Sequence, residues 1–357
     1  MTFVFRTPVI LSVLFVLTSS AGSAQRAPQP SAKPAADATA NIVSAARALV
    51  ATLDEAGKAK VQFPFEGPQR TRWSNLPTGI FERQGLRMGD LTPPQRAAVT
   101  KLLQAALSAD GYRKVMEIVR GDEILRGNSG QGDGRGGGGR GPGGGRGLNF
   151  GEAEYYLSFL GTPSTTTPWM LQFGGHHLAI NLTLVGTQAS MTPSLPAAQP
   201  ATYTFEGREI RPLGKENDKA FALVNALDPT LRDQAILKYN VSDLVLGPGQ
   251  DGRVIQPEGL RASSMTPAQQ DMLLELVREW SGIMNDAFAG PRMTDIRANL
   301  AQTYFAWSGP TTNGSVAYFR VQGPTLVIEY APQKSVDHIH TIYRDPTNDY
   351  GAKLVSK

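Results

Sequence analysis

Cysteine is absent from all 357 residues. That excludes disulfides, thiolate nucleophiles and thiolate-held zinc or iron–sulfur centres. Any metal must be bound by His, Asp, Glu or neutral oxygens. Histidine is almost as scarce, with 4 in the chain. The N-terminal apolar run, Val9 to Leu17, falls short of the ~20 residues a bilayer-spanning helix needs. Charge of one sign is lacking too: 35 basic against 31 acidic residues leave a formal +4. So mild an excess gives no reason to expect a polyanionic partner. The sequence contains no H-E-x-x-H zincin helix, no G-x-S-x-G elbow and no P-loop lysine motif, so no standard catalytic signature names a reaction.

The hydrophobic fraction of 41% suffices for a core. Residues 1–24 read as a secretory signal peptide, with Arg6, then the short apolar run, then Gly22-Ser23-Ala24 as a cleavage site. The expected location is therefore periplasmic or extracellular, with no membrane span after cleavage. Residues 25–40, rich in Pro and Ala, read as a disordered tether. A glycine-rich insert at 127–147 carries Arg135, Arg140 and Arg146. In an exported protein it reads as a surface loop and not as a nucleic-acid-binding tract.

The rest of the chain repeats itself. "LVATLD" at 49–54 returns as "LVNALD" at 223–228, and "GLRMGDLTPPQ" at 85–95 as "GLRASSMTPAQ" at 259–269, both offset by 174. "YYLSFLG" at 155–161 returns as "TYFAWSG" at 303–309, offset by 148. The shortfall of 26 is about the size of the glycine-rich insert, which only the first half carries. Thr92-Pro93-Pro94-Gln95 and Thr266-Pro267-Ala268-Gln269 are capping boxes. Val99, Leu102, Leu103, Ala106 and Leu107 follow one, and Met272, Leu273, Leu276, Val277 and Trp280 the other, at helical spacing. Later runs read as antiparallel hairpins turning at Gly174-Gly175 and Gln322-Gly323-Pro324. Trp169 and Trp307 read as core or platform aromatics. The expected fold is α+β: two pseudo-symmetric repeats, each a capped helix region followed by a hairpin, fused into one domain. Unit 1 spans 41–200 and unit 2 spans 201–335, with a tail at 336–357 that completes the candidate site.

The histidines fall in two clusters, "GHHLAIN" at 175–181 and "VDHIHTIYRDPTNDYG" at 336–351. At an offset of 148 the first aligns with "GPTLVIE", where His176, His177 and Asn181 become Pro324, Thr325 and Glu329. The hairpin itself does not require the histidines. His338 and His340 share a face of an extended segment and can aim two imidazoles at one ion, with His177 or Glu329 as a third ligand. His176 is a further candidate ligand, or else a packing residue. Arg344 reads either as an anion clamp for substrate or as the partner of Asp345 or Asp349. Asp349 or Glu329 is the candidate general base, and Asp345 reads as turn chemistry.

These segments, with "YYLSFLGTPSTTTPW", "TYFAWSG" and "LVIEYA", resemble the family known as Domain of Unknown Function 3500, from about residue 41 to the end. Its distinctive positions fall on Gly175, His176, His177, Asn181, Glu329, His338, His340, Arg344, Asp345 and Asp349. The stretch "MTPSLPAAQPATY" keeps Thr192-Pro193 but lacks the Phe-Gly typical of that family. The resemblance supplies no reaction. The expected function is an exported metal-dependent hydrolase using Zn, Cu, Fe or Mn and a small-molecule substrate. A Cu or Fe oxidoreductase, a metal- or ligand-binding module without catalysis, and a purely structural domain remain open beside it.

Overall fold

A computed structural model describes residues 32–128 and 147–355, together with Met1. Residues 2–31, covering the expected signal peptide after Met1 and the first part of the tether, and residues 129–146 of the glycine-rich insert lie outside the described residues. Ala32–Ala51 is a helix (α1), with Ala38 and Thr39 already buried. Alanine is the best helix former, and Ile42, Ala46 and Leu49 give this helix an apolar face that packs into the core.

The fold is mixed α+β, with every described element in the unit Ser31–Lys357. Both capping boxes form. Thr92 donates its N–H to Gln95 Oε1 at 2.9 Å and opens α2, Pro93–Ala106. Thr266 does the same with Gln269 at 2.9 Å and opens a later helix, Pro267–Ser281. Both glutamines then reach onward: Gln95 Nε2 donates to Thr52 O and Gln269 Nε2 to Ala226 O. Between the capped helices lie α3, Ala109–Asn128, and α4, Gly214–Ala226, so the later capped helix is α5; α6, Asp286–Ala298, follows it.

In the first sheet β1 (Leu86–Arg87), β2 (Tyr156–Leu160), β3 (Trp169–Gly175) and β4 (Leu178–Val185) lie side by side and antiparallel. The second sheet repeats that order with β6 (Leu260–Arg261), β7 (Tyr304–Ser308), β8 (Tyr318–Gly323) and β9 (Leu326–Pro332). Registers correspond as well: Leu86 faces Leu157 as Leu260 faces Phe305, and Gln172 faces Asn181 as Arg320 faces Glu329. The tail adds β10, Ile339–Arg344, beside β9.

A short strand, β5 (Leu195–Pro196), joins the two sheets. It pairs with Leu178 and Ala179 on one side, while Ser194 and Ala198 bridge to Tyr343 and Ile339 on the other. Apolar residues alternate along the strands and fill both faces. Leu171, Phe173 and Ile180 pack against α1 and α2, and Phe305, Phe319 and Tyr343 against α4 and α5. The opposite face carries Met170, Ala179, Leu195 and Ile342, covered by Trp73 and Tyr350. Trp169 and Trp307 are fully buried in the core. Among the described residues no helix is long and apolar enough to cross a membrane.

The first hairpin turn lies two residues later than expected, and the second overlaps its expected position at Pro324. Gly174 and Gly175 end β3, and His176-His177 form the turn; Pro324-Thr325 form the other. The glycines answer to packing and not to turning. A Cβ on Gly175 would sit 2.8 Å from the Tyr155 ring, and one on Gly174 2.5 Å from the Leu178 carbonyl oxygen. The turn's positive φ falls on His177, at 61°. A non-glycine residue seldom adopts that conformation, and such strain concentrates at functional sites.

Candidate metal centre

Two elements distant in sequence build the centre at the seam between the sheets. The β3–β4 turn contributes His176 and His177, and the start of β10 contributes His338 and His340. Tyr155 O–H donates to the His176 carbonyl at 2.6 Å, and His177 accepts Ala197 N–H at 2.9 Å. The turn is thereby fixed against β2 on one side and the β5 segment on the other.

The expected meeting of the two clusters occurs. His177 Nε2 lies 3.0 Å from His338 Nε2, which lies 3.1 Å from His340 Nε2. Hydrogen bonding cannot account for both contacts. A ring nitrogen either donates one proton or accepts one bond in the ring plane, so His338 Nε2 satisfies one neighbour and not two. One cation held by the three nitrogens would satisfy all of them, as His ligands to a metal do.

Electrostatics keep these donors available. Burial, then the nearby His176, His340 and His338, hold His177 well below the usual imidazole range. Burial first, then His340 and His176, lower His338 to about 4. Both rings are neutral at neutral pH, as metal ligation requires.

Around the three rings stand groups that the sequence did not mark. His340 Nδ1 lies 3.3 Å from Asp243 Oδ1, a carboxylate–imidazole pair of the kind that orients metal-bound histidines. Asn75 Nδ2 lies 3.2 Å from His340 Nε2, and its carbonyl accepts His177 N–H. Arg83 Nη2 donates to Ser74 O, Leu76 O and Gly175 O, tying the Asn75 loop to the histidine turn. His176 lies outside the three-ring group. Its Nδ1 is 2.6 Å from Asp122 Oδ1 on α3. One signal existed for Asp122, which stands four residues after Ile118 and seven after Val115 on the buried helix face. Asn75 and Asp243 lie in loops without pattern.

Glu329, Arg344 and Asp349 stand apart from the three histidines. Their bonds go elsewhere, to a buried network on the loop-covered face of the second sheet. Glu329 accepts from Val245 N–H, Leu246 N–H and Tyr318 O–H. Arg344 donates to Asp349, Asp251 and the Leu246 and Gly247 carbonyls. Asp345 accepts from Thr347 N–H and O–H, as turn chemistry requires, and also pairs with Arg292. His177 is the residue grouped with His338 and His340 as able to hold a metal ion. Asn181, too, is internal, bonded to Gln172 and the Pro193 carbonyl.

A family profile described as "Protein of unknown function (DUF3500)" matches residues 35–352. The chain belongs to that family. No curated protein and no solved structure matches it. The DUF3500 match takes in the histidine turn, the β10 pair and the Arg344 network alike.

Proposed function

We propose that this DUF3500 chain is an exported metal-dependent hydrolase, with His177, His338 and His340 holding one transition-metal ion through Nε2. One observation carries the reading: three imidazole nitrogens converge at 3.0 and 3.1 Å in a way that hydrogen bonding cannot satisfy. The all-nitrogen donor set suits Zn, Cu or Fe better than Mn, which favours oxygen ligands. Three protein ligands leave a fourth position for water. His338 and His340 are partly buried, and Asn75 stands beside His340. An ion held by His177, His338 and His340 would supply the means of activating water for attack. Asp243 orients His340. Glu329, Arg344 and Asp349 hold the scaffold and take no chemical part.

The engagement of those three residues favours a second reading, a metal-binding module without catalysis. Protein reconstituted with Zn, Cu or Fe and assayed on activated carboxyl and phosphodiester substrates separates the two. Metal-dependent turnover that is absent from a His338→Ala/His340→Ala variant supports the hydrolase. Turnover that survives in metal-free protein contradicts it. One bound equivalent without turnover leaves the binding module, and turnover of a redox substrate would point to an oxidoreductase.

We further propose that the chain arose by duplication of one unit. In support, Met88 N–H donates to Tyr155 O as Ala262 N–H does to Thr303 O, at the same offsets of 174 and 148 as the sequence matches. Export rests on the pattern of residues 1–24 alone. Fractionation of expressed full-length protein, with N-terminal sequencing, tests it; retention of Met1 in the cytoplasm would refute it.

A further inference from the structure

Among the described residues, seven large hydrophobic side chains besides Met1 are exposed. Four of them, Leu76, Ile80, Leu148 and Val336, belong to segments that frame the histidines, and they are between 39% and 57% exposed. Apolar residues scattered singly over a surface need no explanation, whereas a group of them marks a binding surface. All four lie in loops and turns, outside the helices and strands, where binding residues concentrate.

Short connections tie these residues to the centre. Asn75 touches both clusters: its side-chain amide lies 3.2 Å from His340 Nε2, and its carbonyl accepts His177 N–H at 3.2 Å. Leu76 is the next residue, one Cα step of about 3.8 Å away. Asn149 N–H donates to Thr78 O at 2.9 Å, which sets Leu148 beside the loop that carries Leu76 and Ile80. From the same segment the half-buried Phe150 ring lies 4.9 Å from the His176 ring, which in turn lies 3.6 Å from that of His177. At the other cluster, Gln333 N–H donates to His338 O at 2.6 Å and closes a turn that carries Val336. Apolar side chains therefore stand next to both histidine clusters.

We propose that Leu76, Ile80, Leu148 and Phe150 bind an apolar group of the substrate, a hydrocarbon chain or ring flanking the bond that is cleaved. The inference rests on the hydrolase reading above and names its substrate class. Each methylene that leaves water for such a surface strengthens binding by up to about fourfold. Val336, two residues before His338, extends the apolar rim to the second cluster.

The test loads full-length protein with Co(II), a spectroscopic stand-in for Zn(II), and titrates it with acetohydroxamate and with hexanohydroxamate. Both probes bind an ion through the same oxygens and differ only in hydrocarbon length; the visible spectrum of the metal reports binding. The expected result is a Kd at least about 10-fold lower for the longer probe, given up to about fourfold per methylene. In Leu76→Ser/Ile80→Ser that ratio falls towards one while cobalt content stays native. Equal Kd values in the native protein, a comparison that needs no variant, overturn the apolar site and leave the three-histidine centre standing. A ratio that survives the double substitution overturns this assignment of residues. A cobalt spectrum that ignores both probes shows a centre with no open position, and overturns the hydrolase reading together with this one. Failure to bind cobalt overturns the centre itself and the substrate site that rests on it.

Discussion

Arg344→Ala tests whether this arginine belongs to the fold or to the chemistry. The side chain is 2% exposed and pairs with Asp349 at 2.8 Å and Asp251 at 2.9 Å. It also donates to two carbonyls of the 246–247 loop. Truncation leaves Asp349 buried without its cation, and burial already raises that carboxyl above its ordinary range. Breaking a buried pair by removing one partner costs about 3–5 kcal/mol. Asp251 is about one-third exposed, so solvent screening discounts its share and the lower figure is the safer one. Unfolding entropy of about 2.1 cal/mol/K per residue, summed over Ser31–Lys357, gives about 0.7 kcal/mol/K. The expected loss in Tm is therefore about 4–7 °C, with metal affinity of the folded protein unchanged. Arg344→Lys, which keeps the charge but loses the fork, should fall between the two. Calorimetry and metal titration on one preparation decide it. A Tm within about 1 °C of native, or an unchanged Tm with weakened metal or substrate binding, would refute the structural role.

Acidification should expose the neutral histidines. His338 has its folded pKa lowered from 6.5 to about 4, and His177 lies well below its usual value. Between the unfolded and folded values the unfolded chain binds more protons, so metal-free protein loses stability as pH falls from about 6.5 towards about 4. Urea midpoints should follow that window with a shallower slope in His338→Ala; equal slopes contradict the assignment. Asp243→Ala removes the carboxylate on His340 and should weaken metal affinity about 10–100-fold, read by chelator competition. Unchanged affinity would remove Asp243 from the centre. Gly175→Ala brings a methyl 2.8 Å from the Tyr155 ring, which anchors the histidine turn. Overpacking of this kind costs about 1–3 kcal/mol, so both Tm and metal affinity should fall. A native melting curve would show that the ring yields freely.

The legible parts of the sequence were those whose causes are local or whose residue types are rare. Thr-Pro-x-Gln announces a helix start wherever it stands, and α2 and α5 begin there. With four histidines in the chain, His338-x-His340 and the His176-His177 pair pointed to each other across 161 residues, and His177 meets His338 at 3.0 Å. Local reading failed where packing decides. Gly174-Gly175 looks like a turn, but the glycines make room for Tyr155 and the Leu178 carbonyl. The Pro-Ala stretch before residue 41 looks like a tether, yet its C-terminal part helps form α1. Glu329 and Arg344 looked like site residues because they stand in distinctive segments. Their partners, Val245, Leu246, Gly247 and Asp251, lie 83 to 98 residues away in a loop that no periodicity marks. Asp122 was readable in principle as an acid on the buried helix face, whereas Asn75 and Asp243 gave no such sign.

Elemental analysis of full-length protein beside His338→Ala/His340→Ala tests the central claim most directly. Both samples are reconstituted with Zn, Cu, Fe and Mn and freed of loosely bound ions. The account predicts at least one equivalent of Zn, Cu or Fe in the native protein, with the three-histidine ion lost from a folded double variant. Native protein that retains well under one equivalent of each metal, or a double variant that retains the native amount, would contradict it.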